Sequence, residues 1–296
     1  MFENSSLFII EKKEEKNLKI FRLKLSEKIQ NSINRMLTSY INKNYNNKDE
    51  IEFDGSYKPE ENELLYINGY VLEEKIKAAV REPLGVKELN DINYNFENIN
   101  TICIGEYNNG EYTIGFQKFK KEQFISNNKI NLFFDKTTFI KEERNGISIA
   151  ENFDCVYTNN CLKFTSFFYA RQIFNLSEYY RIATNDDVNE LTNDKTLLFE
   201  NKEKFKDSIN DWTRRRIASI LDSKVLKDYK AKEIKKIGQN VGISIKIEKD
   251  KIVIPSDKKE LKDLFSFLDE SIYKGYFTNN IYSTNSKHKV LESKKW

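Results

Sequence analysis

Apolar and polar positions change their period several times along the chain. Residues 7–12, LFIIEK, and 18–26, LKIFRLKLS, read as strands, with Leu18, Ile20, Leu23 and Leu25 among the apolar positions of the second. Ile29, Ile33, Met36, Leu37 and Tyr40 then recur at helical spacing, and Ser26 stands where a cap is needed. The stretch DGSYKP (54–59) predicts a turn. YVLEEKIKAAV (70–80) predicts a short helix that stops before REPLG, because the residue preceding a proline is steered out of the helical region.

Between about 100 and 166 the pattern favours strands. TICIGEYNNGEYTIGF has the form of a hairpin turning at Asn109-Gly110, and KINLFFD, TTFIKEE, GISIA and DCVYTNNCLKFTSF follow as short strands. From FFYARQIFNLSEYYRIA (167–183) onward helical spacing takes over. Residues 199–237 read as a long polar helical region whose first apolar stripe is Phe205, Ile209, Trp212, Ile217 and Ile220. Residues 243–254 predict a compact hairpin with Ile243, Ile245 and Ile247 on one face. Ser256 is placed to cap a helix with a core stripe of Leu261, Leu264, Phe265, Leu268 and Ile272. These patterns predict an α+β protein. An antiparallel-rich N-terminal domain spans 1–165, and a mainly helical C-terminal domain, with its hairpin at 243–254, spans 166–296.

Composition adds exclusions. Aromatic residues make up 13% of the 296, enough apolar surface to expect a folded protein although 32% are charged. No apolar run approaches the roughly 18 to 20 residues of a membrane span. The start, MFENSSLFIIEKKEE, turns acidic too soon for a signal peptide, so a cytoplasmic protein is expected. Three cysteines, Cys103, Cys155 and Cys161, fit a reducing compartment better than a disulfide framework. The one histidine, His288, leaves little scope for Ser-His or Cys-His catalysis, and Cys155 and Cys161 lack partners at zinc-site spacing. Neither GxxxxGK[ST] nor GxGxxG occurs. No cofactor or metal is expected.

Charge is unevenly distributed. Residues 201–296 hold 23 Lys/Arg against 14 Asp/Glu, a net of +9, whereas residues 1–200 hold 26 against 32, a net of −6. Such asymmetry points to a polyanionic partner for the basic half, although lysine-rich helix faces also serve simply as solvated surface. The excess peaks around three successive arginines, Arg214, Arg215 and Arg216, which cannot share one helix face because neighbours stand about 100° apart. Arg216 falls near the apolar stripe and is expected in helix packing or an internal ion pair, with Arg214 and Arg215 facing a partner. If 224–237 is helical, Lys224, Lys227, Lys232 and Lys235 lie within an arc of about 140°. With Lys287 and Lys289 these residues form the candidate DNA-contacting set. Contacts from such a set would go to phosphates, without sequence preference and with steep salt dependence.

Other readings remain open. Asp54, Glu73 with Lys75, Asp154 and Glu248 are crude candidates for a metal-dependent nuclease, but no strand-borne carboxylate set emerges. An enzyme is therefore the less favoured class. A non-catalytic docking protein, whose basic half meets a membrane partner or anionic lipid, is a third class. Phe167, Phe168, Arg171, Phe174 and Tyr179 look more like core than a stacking platform, and YFTNNIYSTNSK (276–287) is a polar, aromatic loop close to basic residues.

The run FFYARQIFNLSEYY, the polar helices after it, and KKIGQNVGISIKIEKDKIVIPSDKKELKDLFSFLDESIYKGYFTNNIYSTNSKHKV resemble the protein B family of Kiwa, a two-gene bacterial anti-phage defence system. A helix, a hairpin and a Leu/Phe-rich helix lead there into Thr278, Tyr282, Ser286 and Lys287. The resemblance implies a cytoplasmic protein that binds DNA largely without sequence specificity and interferes with phage DNA. It further implies recruitment to the inner face of the cell membrane by a Kiwa protein A-type transmembrane partner, and a homodimer or higher homo-oligomer. It carries over no catalytic residue.

Overall fold

A computed structural model describes residues 5–11, 18–91, 94–125, 130–142 and 144–287. The chain divides into two units. The first comprises residues 1–53 and 58–176, and the second comprises 54–57 and 177–296. The architecture is α+β, mostly sheet in the N-terminal half with the helices mainly later.

In the first unit the elements run β1 (Ser6–Glu11), β2 (Ile20–Arg22), α1 (Glu27–Asn44), β3 (Asp49–Glu52), β4 (Glu63–Asn68), α2 (Glu74–Arg81), β5 (Ile99–Asn108) and β6 (Glu111–Lys118). They continue with β7 (Phe124–Ile125), β8 (Asn131–Asp135), β9 (Thr138–Glu142), β10 (Gly146–Ile147), β11 (Cys155–Thr158), β12 (Cys161–Phe164) and α3 (Phe167–Ile173). Eight strands form one sheet in the order β2-β1-β5-β6-β11-β12-β4-β3, antiparallel except for the β3–β4 pair. The expected turn at Asn109-Gly110 joins β5 to β6 with both residues at positive φ, the twist that a two-residue hairpin requires.

Both faces of this sheet are covered, which explains why its strands read as continuous apolar runs rather than strict alternation. Leu7, Ile9, Ile102, Ile104 and Val156 pack with Leu37 and Ile41 of α1 in one core cluster. The intervening residues Phe8, Cys103, Phe116, Cys155 and Phe164 align in register across β1, β5, β6, β11 and β12, all buried. On that side Phe116 meets Phe174 edge-on at 4.9 Å and Phe53 meets Phe164 at 5.3 Å. Gly115 is required by close approach, since a Cβ there would lie 2.3 Å from the Phe153 ring.

The second unit runs α4 (Asn185–Thr192), β13 (Leu197–Phe199), α5 (Lys202–Asp207), α6 (Asp211–Ser223), α7 (Val225–Asp228) and α8 (Ala231–Asn240). It ends with β14 (Ile247–Glu248), β15 (Lys251–Ile254), α9 (Lys258–Leu268), β16 (Ile272–Lys274) and β17 (Ile281–Ser283). Val188, Leu197, Ile217, Ile220, Ile234, Ile252, Leu264 and Phe265 are among its core residues. The expected hairpin is present as β14–β15, turning at Lys249-Asp250, and β15 also pairs in parallel with β13.

Several sequence expectations are corrected. Residues 167–183 are not one helix, because α3 ends at Ile173 and Phe174 takes extended backbone. The region 199–237 is broken into four helices. Asn201 and Asn210 each cap a new start with their side chains, and Lys224 ends α6 in the left-handed conformation, φ 58°. Lys224, Lys227, Lys232 and Lys235 therefore do not share one helix. Ser26 stands at the start of α1 without a side-chain capping bond. The cap of α9 is Asp257, whose side chain accepts from the Lys259 and Glu260 amides, while the Ser256 hydroxyl donates to Glu200. Strands β3 and β4 were absent from the expected order of elements.

Candidate anion-binding cleft of the second unit

Helix α6 has two faces of different chemistry. Thr213, Ile217 and Ile220 are buried against the core, whereas Trp212, Arg215, Arg216 and Ser219 follow the i, i+3, i+4, i+7 spacing that brings side chains onto one stripe. That stripe lines a cleft of about 710 Å³. The opposing lining comes from Lys262, Ser266 and Asp269 at the same spacing on and just after α9. Ser283 at the end of β17, then Thr284, Asn285 and Lys287, and the short segment Gly55–Ser56 complete it. Gly55 adopts φ +78° with Tyr180 pressed against it, a conformation and space that suit only glycine. The Lys287 amide donates to the Ser56 carbonyl at 3.2 Å, and the Thr284 amide to the Ser271 carbonyl at 2.8 Å.

Asp269 is the one carboxylate among the lining residues, and its side chain is 1% exposed. It is compensated from several directions. Arg216 Nη1 donates to its Oδ2 and to the Ser271 hydroxyl, the Ser271 amide donates to Oδ1 at 3.1 Å, and Lys287 Nζ lies 3.5 Å from Oδ2. Lys287 Nζ also donates to the Asp269 backbone carbonyl. Arg216 lies over the Trp212 ring, 5.3 Å from its centroid, a cation–π arrangement that fixes both side chains. A buried carboxylate satisfied in this way anchors the two cations rather than neutralising the cleft. Four positive side chains against one negative leave the lining at net +3. Neither Arg215 nor Lys262 makes an ion pair or side-chain hydrogen bond to a described residue, and both are exposed.

The eight candidate DNA-contacting residues are dispersed by the fold. Arg215 and Lys287 meet in the cleft. Arg214 does not join them, because its guanidinium donates to the Ala183 carbonyl at 2.7 Å and to Asn185 Oδ1 at 2.8 Å. Lys227 pairs with Glu190 at 3.1 Å and Lys232 with Asp250 at 2.8 Å, both on the surface, where such pairs contribute little. Asp250 holds the Lys232 ammonium above its ordinary pKa, chiefly through their hydrogen bond. Lys224 is exposed at the end of α6 and Lys235 is half-buried on α8. Lys289 lies outside the described residues, as does His288. Sequence reasoning missed Trp212 and Ser219 as lining the same cleft as Arg215, and Lys262, Ser266 and Asp269 altogether. The i, i+3, i+4, i+7 spacing of polar residues was the available signal.

The carboxylates weighed for metal chemistry are not assembled. Among the described residues, no group of three or more His, Cys, Asp or Glu could hold a metal ion. Asp154, in the first unit, accepts the Lys118 amide at 2.7 Å, and burial raises its carboxyl pKa. A smaller cavity there, about 240 Å³, is lined by Glu50 and Lys163, which pair with each other. Among the described residues no helix is long and apolar enough to cross a membrane.

A family model described as Kiwa protein KwaB-like matches residues 96–278, well over half of the chain. The chain belongs to the KwaB-like family. Membership supports a role in anti-phage defence. The matched region holds α6, α9 and the Asp269 anchor of the cleft, and it stops short of the Ser283–Lys287 segment. No curated protein and no solved structure matches the chain significantly.

Proposed function

We propose that this KwaB-like chain is the DNA-binding component of a Kiwa anti-phage system and grips phosphates through the cationic cleft of its second unit. The observation that carries the proposal is the cleft itself. Arg215 and Lys262 face it without a partner among the described residues, beside Arg216 and Lys287 anchored on Asp269. Guanidinium and ammonium groups in a concave, hydroxyl-rich site suit phosphate oxygens, and a backbone contact of this kind carries no base sequence information. Lys224 and Lys235 add positive charge elsewhere on the unit, Lys227 and Lys232 would have to leave Glu190 and Asp250 to contact a phosphate, and Arg214 serves by holding the 183–185 segment. Lys289 adds charge beyond Lys287. In this proposal the chain works as a homo-oligomer, recruited to the inner membrane face by a transmembrane partner.

The test is fluorescence anisotropy with a short duplex over a salt series, first in EDTA and then with Mg²⁺. Each phosphate contact contributes about 0.9 to the slope of log K against log salt, so Arg215→Ala/Lys262→Ala should flatten it by about 1.8. Intact DNA in the Mg²⁺ arm counts against a nuclease. Failure of the wild type to bind duplex or single strand at low salt refutes the proposal and turns attention to a protein or lipid partner for the +9 half.

A further inference from the structure

The β16–β17 hairpin leads directly into the cleft, yet its own chemistry is aromatic. Tyr273 and Tyr282 stand opposite each other across the two strands, their rings stacked at 5.7 Å and 27°. The connecting loop is held in one shape by its own contacts. The Gly275 amide donates to the Asn280 carbonyl at 2.9 Å, the Asn279 amide to the Gly275 carbonyl at 3.1 Å, and the Thr278 and Tyr282 hydroxyls meet at 3.2 Å. Gly275 is needed here, since a Cβ would fall 2.7 Å from the Tyr282 ring. This loop presents Tyr276 and Phe277 at 99% and 100% exposure. Two bulky rings wholly in water at the tip of an internally bonded loop contribute nothing to the core, so their placement calls for a partner.

The charge around them limits what that partner can be. Residues 271–287 contain two Lys and no Asp or Glu, and Ser283, at the end of β17, already lines the +3 cleft. At about 3.3 Å per residue, β17 spans only about 10 Å between the cleft and the loop. An aromatic surface this close to a cationic cleft matches a chain of planar rings joined by phosphates. A duplex hides its base faces by stacking them on each other, whereas a single strand offers them.

We infer that the β16–β17 hairpin and the adjoining cleft form a track for single-stranded DNA, with unpaired bases stacking on Tyr276 and Phe277 while the strand's phosphates enter the cleft at Arg215, Lys262 and Lys287. The inference rests on the DNA-binding proposal and adds a preference for unpaired strands.

Anisotropy of the full-length chain with a labelled single strand of about 20 nucleotides, and with the duplex of the same sequence, tests it. The wild type should bind the single strand more tightly at equal salt. Tyr276→Ala/Phe277→Ala should weaken single-strand binding by about tenfold or more, leave duplex binding within about twofold, and keep the salt slope, since no charge is removed. Tyr276→Phe/Phe277→Tyr should restore the single-strand affinity. Equal binding of single strand by wild type and alanine variant, with duplex binding intact, overturns the track and leaves the DNA proposal standing. Loss of both ligands already in the wild type removes the proposal on which the track depends.

Discussion

The Arg216–Asp269 pair offers the sharpest check on how the cleft is built. Removing Arg216 while keeping its apolar stem, as in Arg216→Met, leaves a carboxylate that is 1% exposed without its main partner. An uncompensated buried charge costs about 3 to 5 kcal/mol. Here the Ser271 amide at 3.1 Å and Lys287 at 3.5 Å still face Asp269, so the expected loss is about 2 to 3 kcal/mol. Asp269→Asn should cost less, about 1 to 2 kcal/mol. The amide oxygen can still accept from Ser271, and the released cations, 16% and 34% exposed, can turn towards water. The double variant should cost less than the sum of the singles by about 1 kcal/mol or more. Urea unfolding followed by the Trp212 emission gives the numbers. Of the chain's 2 tryptophans the other, Trp296, is replaced by Phe so that the signal comes from Trp212 alone. Costs that add within about 0.5 kcal/mol would show that the two side chains do not meet and would remove the anchor from the account of the cleft. The same Asp269→Asn protein should bind duplex DNA with a steeper salt dependence, because the cleft lining gains one net positive charge.

Three further outcomes are expected. Gly115→Ala should destabilise the first unit by about 1 to 3 kcal/mol in a urea titration, since its Cβ would meet the Phe153 ring at 2.3 Å; an unchanged midpoint would contradict that packing. Burial pushes the Cys103 thiol up to about 12 and the equally buried Cys155 thiol upward as well, whereas Cys161 is partly exposed. A disulfide reagent at neutral pH should therefore label at most Cys161 in the folded chain and all three after unfolding. Asp154 has its carboxyl pKa raised by burial, so the folded state holds its proton more tightly than the unfolded state, and ionisation withdraws stability as pH rises. Asp154→Asn, which can still accept from the Lys118 amide, should raise the urea midpoint at neutral pH, with the difference closing below about pH 3.9. A constant difference across that range would refute the assignment.

Local chemistry was legible without coordinates. The positive-φ turn at Asn109-Gly110, the hairpin around Lys249-Asp250, the helical spacing of α1 and the Leu/Phe stripe of α9 each follow from interactions between residues a few positions apart. So does the change from a sheet-rich half to a helical one, and so do the basic excess and the aromatic loop at 276–287. The breaks in the 199–237 region were not legible. Lys224 takes a left-handed backbone that neither glycine nor proline announces, and the conformation is stabilised by burying Ile220 before it and Leu226 after it in one core. Local propensity could not reveal that, because the compensating burial lies in the rest of the unit. The cleft is the larger case. Gly55, Arg215, Lys262 and Lys287 come from four separate segments, and whether an arginine in a run of three faces a carbonyl, a carboxylate or water depends on what the fold sets opposite it. Sequence determined the charges available to this protein. Tertiary structure decided which were consumed internally, because a buried polar group must be paired and an exposed one need not be.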